Sequence, residues 1–221
     1  MSDESLPKDG LKARLDAAFA ALPLVAILRG LKPVECEDAA RALYDRGFRL
    51  IEVPLNSPDP FDSIAAIRRI LPQDALVGAG TVLEVAQVAR LKEIGADLVV
   101  MPHADTAVIR AAKAAGLACV PGVATATEAF AALAAGADAL KLFPAEQINP
   151  TIVKAIRTVL PAGTRLLPVG GIAPDTMAPF LEVGVAGFGL GSALYKPGMT
   201  AAQIAERAEA FVASWTALNP R

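Results

Sequence analysis

The sequence predicts an α/β fold: a (β/α)₈ TIM barrel of eight parallel strands alternating with helices, preceded by one N-terminal helix. Three observations predict it. Short apolar runs alternate with amphipathic stretches along the chain, the runs number eight, and several of the stretches between them end in glycine. Strand–helix units repeated in this way are βαβ crossovers and give a parallel sheet. Eight such strands close a barrel.

The runs are LVAILRG (24–30), LIEVPLN (50–56), LVGAGTV (76–82), LVVMPH (98–103), ACVPGV (118–123), ALKLFP (139–144), RLLPVGG (165–171) and GFGLGS (187–192). Between them lie alanine-rich stretches such as CEDAARALYDRG and LEVAQVARLKEIG. Gly47, Gly95, Gly116, Gly136 and Gly184 stand where helix C-caps are expected. A helix over roughly 9–21 can plug the open bottom of the barrel. No linker, low-complexity segment or charge block divides the chain, so residues 1–221 are expected to form one barrel domain. An open doubly wound sheet is the competing architecture, but its usual G-x-G-x-x-G is missing after the first strand, where LRGLKPVE follows.

Composition excludes several functions. Apolar residues make up 54% of the 221, which argues for a folded globule. The net charge of −2 gives no basic footprint for nucleic acid. No apolar run reaches the roughly 18 residues that span a membrane, and the polar start MSDESLPKDG carries no apolar signal segment. A cytoplasmic protein is expected. Cys36 and Cys119 have no metal-type or CxxC spacing and read as reduced, structural thiols. The single histidine, His103, excludes any site that needs two from one chain. No cluster of carboxylates and imidazoles calls for a metal, and no cofactor is expected.

Charged residues inside strands carry the chemistry. Alternate side chains of a strand face opposite ways, and the inward set of a barrel leads up to the active site. In ALKLFP, Leu140 and Leu142 face the helices, so Ala139, Lys141 and Phe143 face inward. Burial lowers a lysine pKa and frees the amine as a nucleophile; the alternative is a lysine that snorkels to solvent. In LIEVPLNS, Ile51 and Val53 face outward, and Leu50, Glu52 and Pro54 inward. Glu52 near Lys141 is either a proton shuttle or half of a structural ion pair. Arg29 ends the first strand and suits a carboxylate. Thr81 ends the third and can donate to the same group.

The last two strands end in VGGI (169–172) and GLGS (189–192). Glycine lets backbone N–H groups approach an anion closely. Helices expected from about Pro174 and about Thr200 would aim their positive ends at it. Gly170, Gly171, Gly191 and Ser192 therefore read as a phosphate cradle, unless the glycines serve only tight turns. His103 reads as a surface or packing residue near the mouth, Pro102 and Pro121 as rim residues, and Asp97, Asp105 and Asp138 as helix-end or loop charges.

Taken together, IEVPLNS, GAGTV, PGVATATEA, ALKLFPAE, VGGI and GLGS resemble the aldolases for 2-keto-3-deoxy-6-phospho sugar acids, the KDPG/KHG aldolase family. The likeness runs from about Leu22 to about Val212, with the motifs in order on the expected strands. The resemblance implies a metal-free, class I aldolase on a (β/α)₈ barrel, a homotrimer, acting on a phosphorylated keto acid. Lys141 matches the family's Schiff-base lysine, and Glu52 its general acid/base, working through a bound water. Arg29 and Thr81 match residues around the pyruvyl carboxylate, and VGGI and GLGS match its phosphate loops. Members acting on the gluconate compound typically read EVTLRT and TGG; this chain reads EVPLNS and VGG. Asn56 in place of the arginine and Val169 in place of the threonine resemble the galactonate branch. A valine cannot bond a substrate hydroxyl, so Val169 is expected to relax or reverse that preference. The expected reaction is cleavage of 2-dehydro-3-deoxy-6-phosphogalactonate to pyruvate and glyceraldehyde 3-phosphate. The alternatives are the gluconate or 4-hydroxy-2-oxoglutarate reaction, a sugar-phosphate isomerase or epimerase, and a non-catalytic sugar-phosphate-binding barrel.

Overall fold

The computed structural model describes residues 8–219. The start of the polar N-terminal stretch, residues 1–7, and residues 220–221 lie outside them. After α1 (Lys8–Ala21) come β1 (Leu24–Ile27), α2 (Cys36–Tyr44), β2 (Leu50–Pro54), α3 (Pro60–Ile70), β3 (Leu76–Gly80), α4 (Val85–Glu93), β4 (Leu98–Val100) and α5 (Thr106–Ala114). The fifth unit has β5 (Ala118–Val120) and β6 (Gly122–Val123) before α6 (Ala126–Ala134). Then follow β7 (Leu140–Leu142), α7 (Pro150–Arg157), β8 (Leu166–Pro168), α8 (Ala178–Glu182), β9 (Phe188–Leu190) and α9 (Ala201–Leu218).

Each of the eight apolar runs yields a strand, but the fifth is split. Pro121 has no N–H to donate, so the ladder is interrupted between β5 and β6. Its carbonyl still accepts the Lys141 N–H at 2.9 Å, which carries the pairing across the break to β7. One sheet runs β5-β4-β3-β2-β1-β9 and the other β6-β7-β8, with every ladder parallel. A parallel bridge between Val169 and Gly189 joins β8 to β9 and closes the ring. That closure excludes the open doubly wound sheet.

The inward and outward faces separate into two cores, as strand alternation requires. Val25, Leu50, Leu76, Leu98, Val100, Ala118, Val120, Ala139 and Leu167 fill the barrel together with Leu15, Ala18 and Phe19 of α1, so the first helix is the bottom plug. Leu24, Ala26, Ile51, Val53, Val77, Leu140 and Leu142 face outward and pack under the helices. At the ends of helices, Gly47, Gly95, Gly116, Gly136 and Gly184 all take positive φ. At Gly116, for example, the next residue's N–H reaches back to Ala112 O at 2.9 Å, a Schellman-type stop.

Asp97 stands in the loop before β4, as expected, but it is a buried and paired charge, not a solvated one. It is 8% exposed and accepts from Arg14 Nη1 (2.8 Å), Arg68 Nη1 (2.9 Å) and the Val77 N–H (3.2 Å), tying α1 and α3 to the barrel bottom. Asp105 does cap α5, accepting from the Ala107 and Val108 N–H groups. Asp138 accepts from the Cys119 N–H and Lys113 Nζ. The helices expected from about Pro174 and about Thr200 begin at those positions. The first is a 3₁₀ turn at Pro174–Thr176 followed by the five-residue α8. The second is the 18-residue α9, capped by Thr200 and separated from GLGS by an isolated turn in which the N–H groups of Leu194 and Tyr195 fold back onto Gly191 O. The prolines in 174–179 and Pro197 interrupt regular helix there. Among the described residues, no helix is long and apolar enough to cross a membrane.

Candidate active site

Glu52 and Lys141 are the two most unusual side chains of the barrel interior, 1% and 5% exposed. Each stands one step above an apolar barrel-filling residue, Leu50 on β2 and Ala139 ahead of β7. Burial raises the Glu52 carboxyl to about 7, against the opposing pull of the Lys141 and Arg29 charges. Burial lowers the Lys141 ammonium; the Glu52 carboxylate works against that shift and the Arg29 charge adds to it. The ion pairs among the described residues do not include Lys141 with Glu52. Glu52 Oε2 has no hydrogen-bond partner. The structural ion-pair reading is therefore not what the geometry gives. A buried carboxyl and a buried amine are held apart, each pushed toward its neutral form, and a buried charge without a partner is costly.

Gly80 makes room for this carboxylate. A Cβ built there would stand 1.7 Å from Glu52 Oε2 and 2.5 Å from Oε1. The next residue, Thr81, is half-buried with φ +54. A β-branched residue in the left-handed region costs on the order of 1–3 kcal/mol and is concentrated at functional sites. The lysine has an aromatic neighbour, Phe143, whose ring centre lies 4.6 Å from Nζ.

Arg29 lies on the exposed rim above β1, where Nη1 donates to Asn56 Oδ1 at 2.5 Å. Beside it the Gly30 N–H donates to Ser57 Oγ at 2.9 Å. These two bonds clasp the loop after β1 to the loop after β2, and they aim the guanidinium over the site.

The glycine segments lie side by side, because Val169 bridges Gly189. Val169 is buried, and its Cγ2 would meet a Cβ on Gly189 at 2.6 Å. Gly170 and Gly171 have φ +113 and +63. Gly191 has open space on its side-chain side, and Ser192 is exposed beside it. The strand ends thus gather Arg29, Glu52, Thr81, Lys141, Val169, Gly170, Gly171, Gly191 and Ser192 at the C-terminal rim of one barrel.

His103 is exposed on the loop after β4, and its carbonyl accepts the Gly122 N–H at 3.2 Å. Cys36 and Cys119 are buried and free. Burial pushes the Cys119 thiol up to about 12, far from a reactive thiolate. Sequence reasoning missed Gly80, Ser57 and Glu146, and it took Asn56 only as a substitution. The alternation that put Glu52 inside also puts Asn56 on the same side of the run, so Asn56 was findable. The Glu146 contact described below had no such signal.

Comparison with known proteins agrees with this geometry. The family model described as "Aldolase: KDPG and KHG aldolase" matches residues 15–211. A probable 2-dehydro-3-deoxy-6-phosphogalactonate aldolase of Rhizobium meliloti (strain 1021) is 50% identical over 196 residues, 89% of this chain and 92% of that one. The 2-dehydro-3-deoxy-6-phosphogalactonate aldolase of Escherichia coli (strain K12) is 46% identical over 194 residues, 88% and 95% of the two chains. The solved native KDPGal structure superposes with a TM-score of 0.88 at 45% identity, covering 89% of this chain and 96% of that one. A closed parallel (β/α)₈ barrel with its polar groups at the C-terminal rim defines the class. The chain belongs to the KDPG and KHG aldolase family, and it is an aldolase.

Proposed function

We propose that this aldolase is a Schiff-base enzyme that cleaves 2-dehydro-3-deoxy-6-phosphogalactonate to pyruvate and D-glyceraldehyde 3-phosphate, with Lys141 as the covalent residue. The observation that carries this reading is the pair of buried, unpaired, mutually coupled groups on facing strands, Lys141 and Glu52. Neutral Lys141 attacks the 2-keto carbon, and the carbinolamine loses water to give an iminium. The iminium accepts the electron pair of the breaking bond between carbons 3 and 4. Glu52 takes the proton of the carbon-4 hydroxyl, directly or through a water, and the aldehyde leaves. Protonation of the enamine carbon and addition of water release pyruvate and restore the amine. A carboxyl near 7 exchanges protons in both directions at neutral pH, which both halves of this sequence need.

Arg29, held by Asn56, and Thr81 bind the pyruvyl carboxylate in this reading. Gly170, Gly171, Gly191 and Ser192 receive the phosphate through backbone N–H groups and a hydroxyl. Val169 presents methyl groups where a hydroxyl would read the substrate's configuration. The galactonate preference is supported by Val169 and Asn56 and by what the two relatives act on. We further propose a cytoplasmic homotrimer, on the resemblance to the family; sedimentation in solution tests the assembly.

The test is pyruvate release from the galactonate and gluconate compounds side by side, with Lys141→Ala alongside and no added metal. Faster cleavage of the galactonate compound, abolished in the variant, is expected. Faster cleavage of the gluconate compound would overturn the preference and keep the chemistry. In parallel, pyruvate and borohydride should add a reduced pyruvyl group to Lys141, and an unchanged mass would refute the covalent step. Failure of both would leave an isomerase or a binding barrel.

A further inference from the structure

The turn that follows the lysine strand brings a second carboxylate to the rim. Ala145 N–H donates to Val169 O at 2.9 Å, which draws the turn at 145–147 against the end of β8. From there the Glu146 side chain lies astride the two glycines of VGGI. A Cβ on Gly170 would stand 2.2 Å from Glu146 Oε2 and 3.1 Å from Oε1; one on Gly171 would stand 3.2 Å from Cγ and 3.4 Å from Oε1. The carboxylate therefore occupies the space that side chains at 170 and 171 would take. Both glycines are also in the left-handed region, so the sequence Gly-Gly and the acid at 146 fit together as one unit.

This places a negative group in van der Waals contact with the backbone that the reading above assigns to the substrate's phosphate. We propose that Glu146 is a specificity-determining residue that sets how tightly the phosphate arm is held, weakening its binding by charge repulsion and hastening release of the phosphorylated aldehyde. The proposal rests on reading Gly170–Gly171 as the phosphate cradle. A phosphate carries about −1.5 to −2 charges at neutral pH. At about 5 Å in a water-like dielectric, its repulsion with one carboxylate weakens binding roughly tenfold. Glu146 is exposed, so its repulsion of the anion acts through a water-like dielectric from its place against the two glycines. The effect falls on the phosphate end of the substrate and leaves Lys141 untouched.

The experiment compares the natural chain with Glu146→Gln and Glu146→Lys. Competitive inhibition of pyruvate release is measured with inorganic phosphate and, separately, with pyruvate, which has no phosphate. The expected result is a phosphate inhibition constant that falls about tenfold in Glu146→Gln and further in Glu146→Lys. The KM for the phosphorylated substrate should fall in parallel, while the pyruvate inhibition constant changes less than twofold. A phosphate constant that stays flat or rises in both variants would overturn the proposal and leave the aldolase reading standing. No competition by phosphate in the natural chain would overturn the cradle and the proposal with it. No borohydride-trapped pyruvate on Lys141 would instead remove the covalent reading.

Discussion

Replacing Gly80 with alanine adds one methyl group and tests whether the position of Glu52 matters apart from its chemistry. The new Cβ would lie 1.7 Å from Glu52 Oε2 and 2.3 Å from Cδ, where ordinary contact begins near 3.4 Å. The carboxylate must therefore retreat by about 1.7 Å. That side chain is 1% exposed, so the carboxylate moves within the interior and the shift is borne by the site. A misplacement of about 1 Å in a reacting group costs on the order of 100-fold in rate. Losing a general acid/base outright costs about 10²–10⁴. Gly80→Ala is thus expected to lower kcat by about 100-fold or more, and overpacking should cost about 1–3 kcal/mol. For a chain of this size that is a fall in Tm of roughly 2–12 °C. The assay is pyruvate release under saturating substrate, with borohydride trapping and a thermal melt on the same sample. The trapped pyruvate on Lys141 should persist, because the lysine is on the far strand. A kcat within threefold of the natural chain, with an intact pH profile, would refute the role given to Glu52.

Glu52→Gln should lower kcat by about 10²–10⁴ and remove from the kcat/KM profile the limb near pH 7 that belongs to the Glu52 carboxyl. Because the folded pKa of Glu52 lies above its unfolded value, the stability it contributes is full below about pH 4.5 and is lost as pH rises through about 7. The natural chain should therefore lose Tm relative to Glu52→Gln between pH 5 and pH 8, and a constant gap would contradict the burial argument. Asn56→Ala frees Arg29 from its side-chain partner among the described residues, and the inhibition constant of pyruvate should rise about fivefold, the net worth of roughly one hydrogen bond on an exposed loop. Val169→Thr is expected to move the ratio of kcat/KM toward the gluconate compound by about tenfold; no movement would place the discrimination elsewhere. Asp97→Ala leaves Arg14 and Arg68 without their shared carboxylate at the barrel bottom, so stability should fall by about 3–5 kcal/mol, with kcat changed less than twofold.

The barrel was legible because buried parallel strands read as continuous apolar runs, and their alternation assigns each side chain to a face. The same arithmetic put Lys141 and Glu52 inside, since a charge within such a run has only the barrel interior or the helix layer to face. Strand ends were less legible. The runs 139–144 and 187–192 shrink to Leu140–Leu142 and Phe188–Leu190, because strand limits follow hydrogen-bond pairing, not hydropathy. The break at Pro121 was visible as a rim feature but not as a split in the sheet. Thr81 gave no warning of its left-handed backbone, for no glycine or asparagine marks the position. Asp97 meets Arg14 across 83 residues and Arg29 meets Asn56 across 27, and side-chain pairs of that kind leave no periodic trace.

The two ends of the barrel divide the physical work. The N-terminal end holds the apolar plug from α1 and the Asp97 network, where charges are paired and carbonyls are satisfied by Arg14 and Arg68. The C-terminal end holds the costly features: an unpaired buried oxygen on Glu52, a depressed lysine, a strained Thr81 and a carboxylate pressed on two left-handed glycines. None of these stabilises the fold, and each is of the kind that persists only when the surrounding structure over-determines it. Water would bring the amine and the carboxyl back toward their ordinary values. Burial in an apolar interior holds them away from those values, and Leu50, Leu76, Leu98 and Leu167 line that interior. On this argument the apolar residues under the site are part of its chemistry. A cavity opened at Leu167, the β8 residue in register with Lys141, would admit water and should return the Lys141 pKa toward its ordinary value.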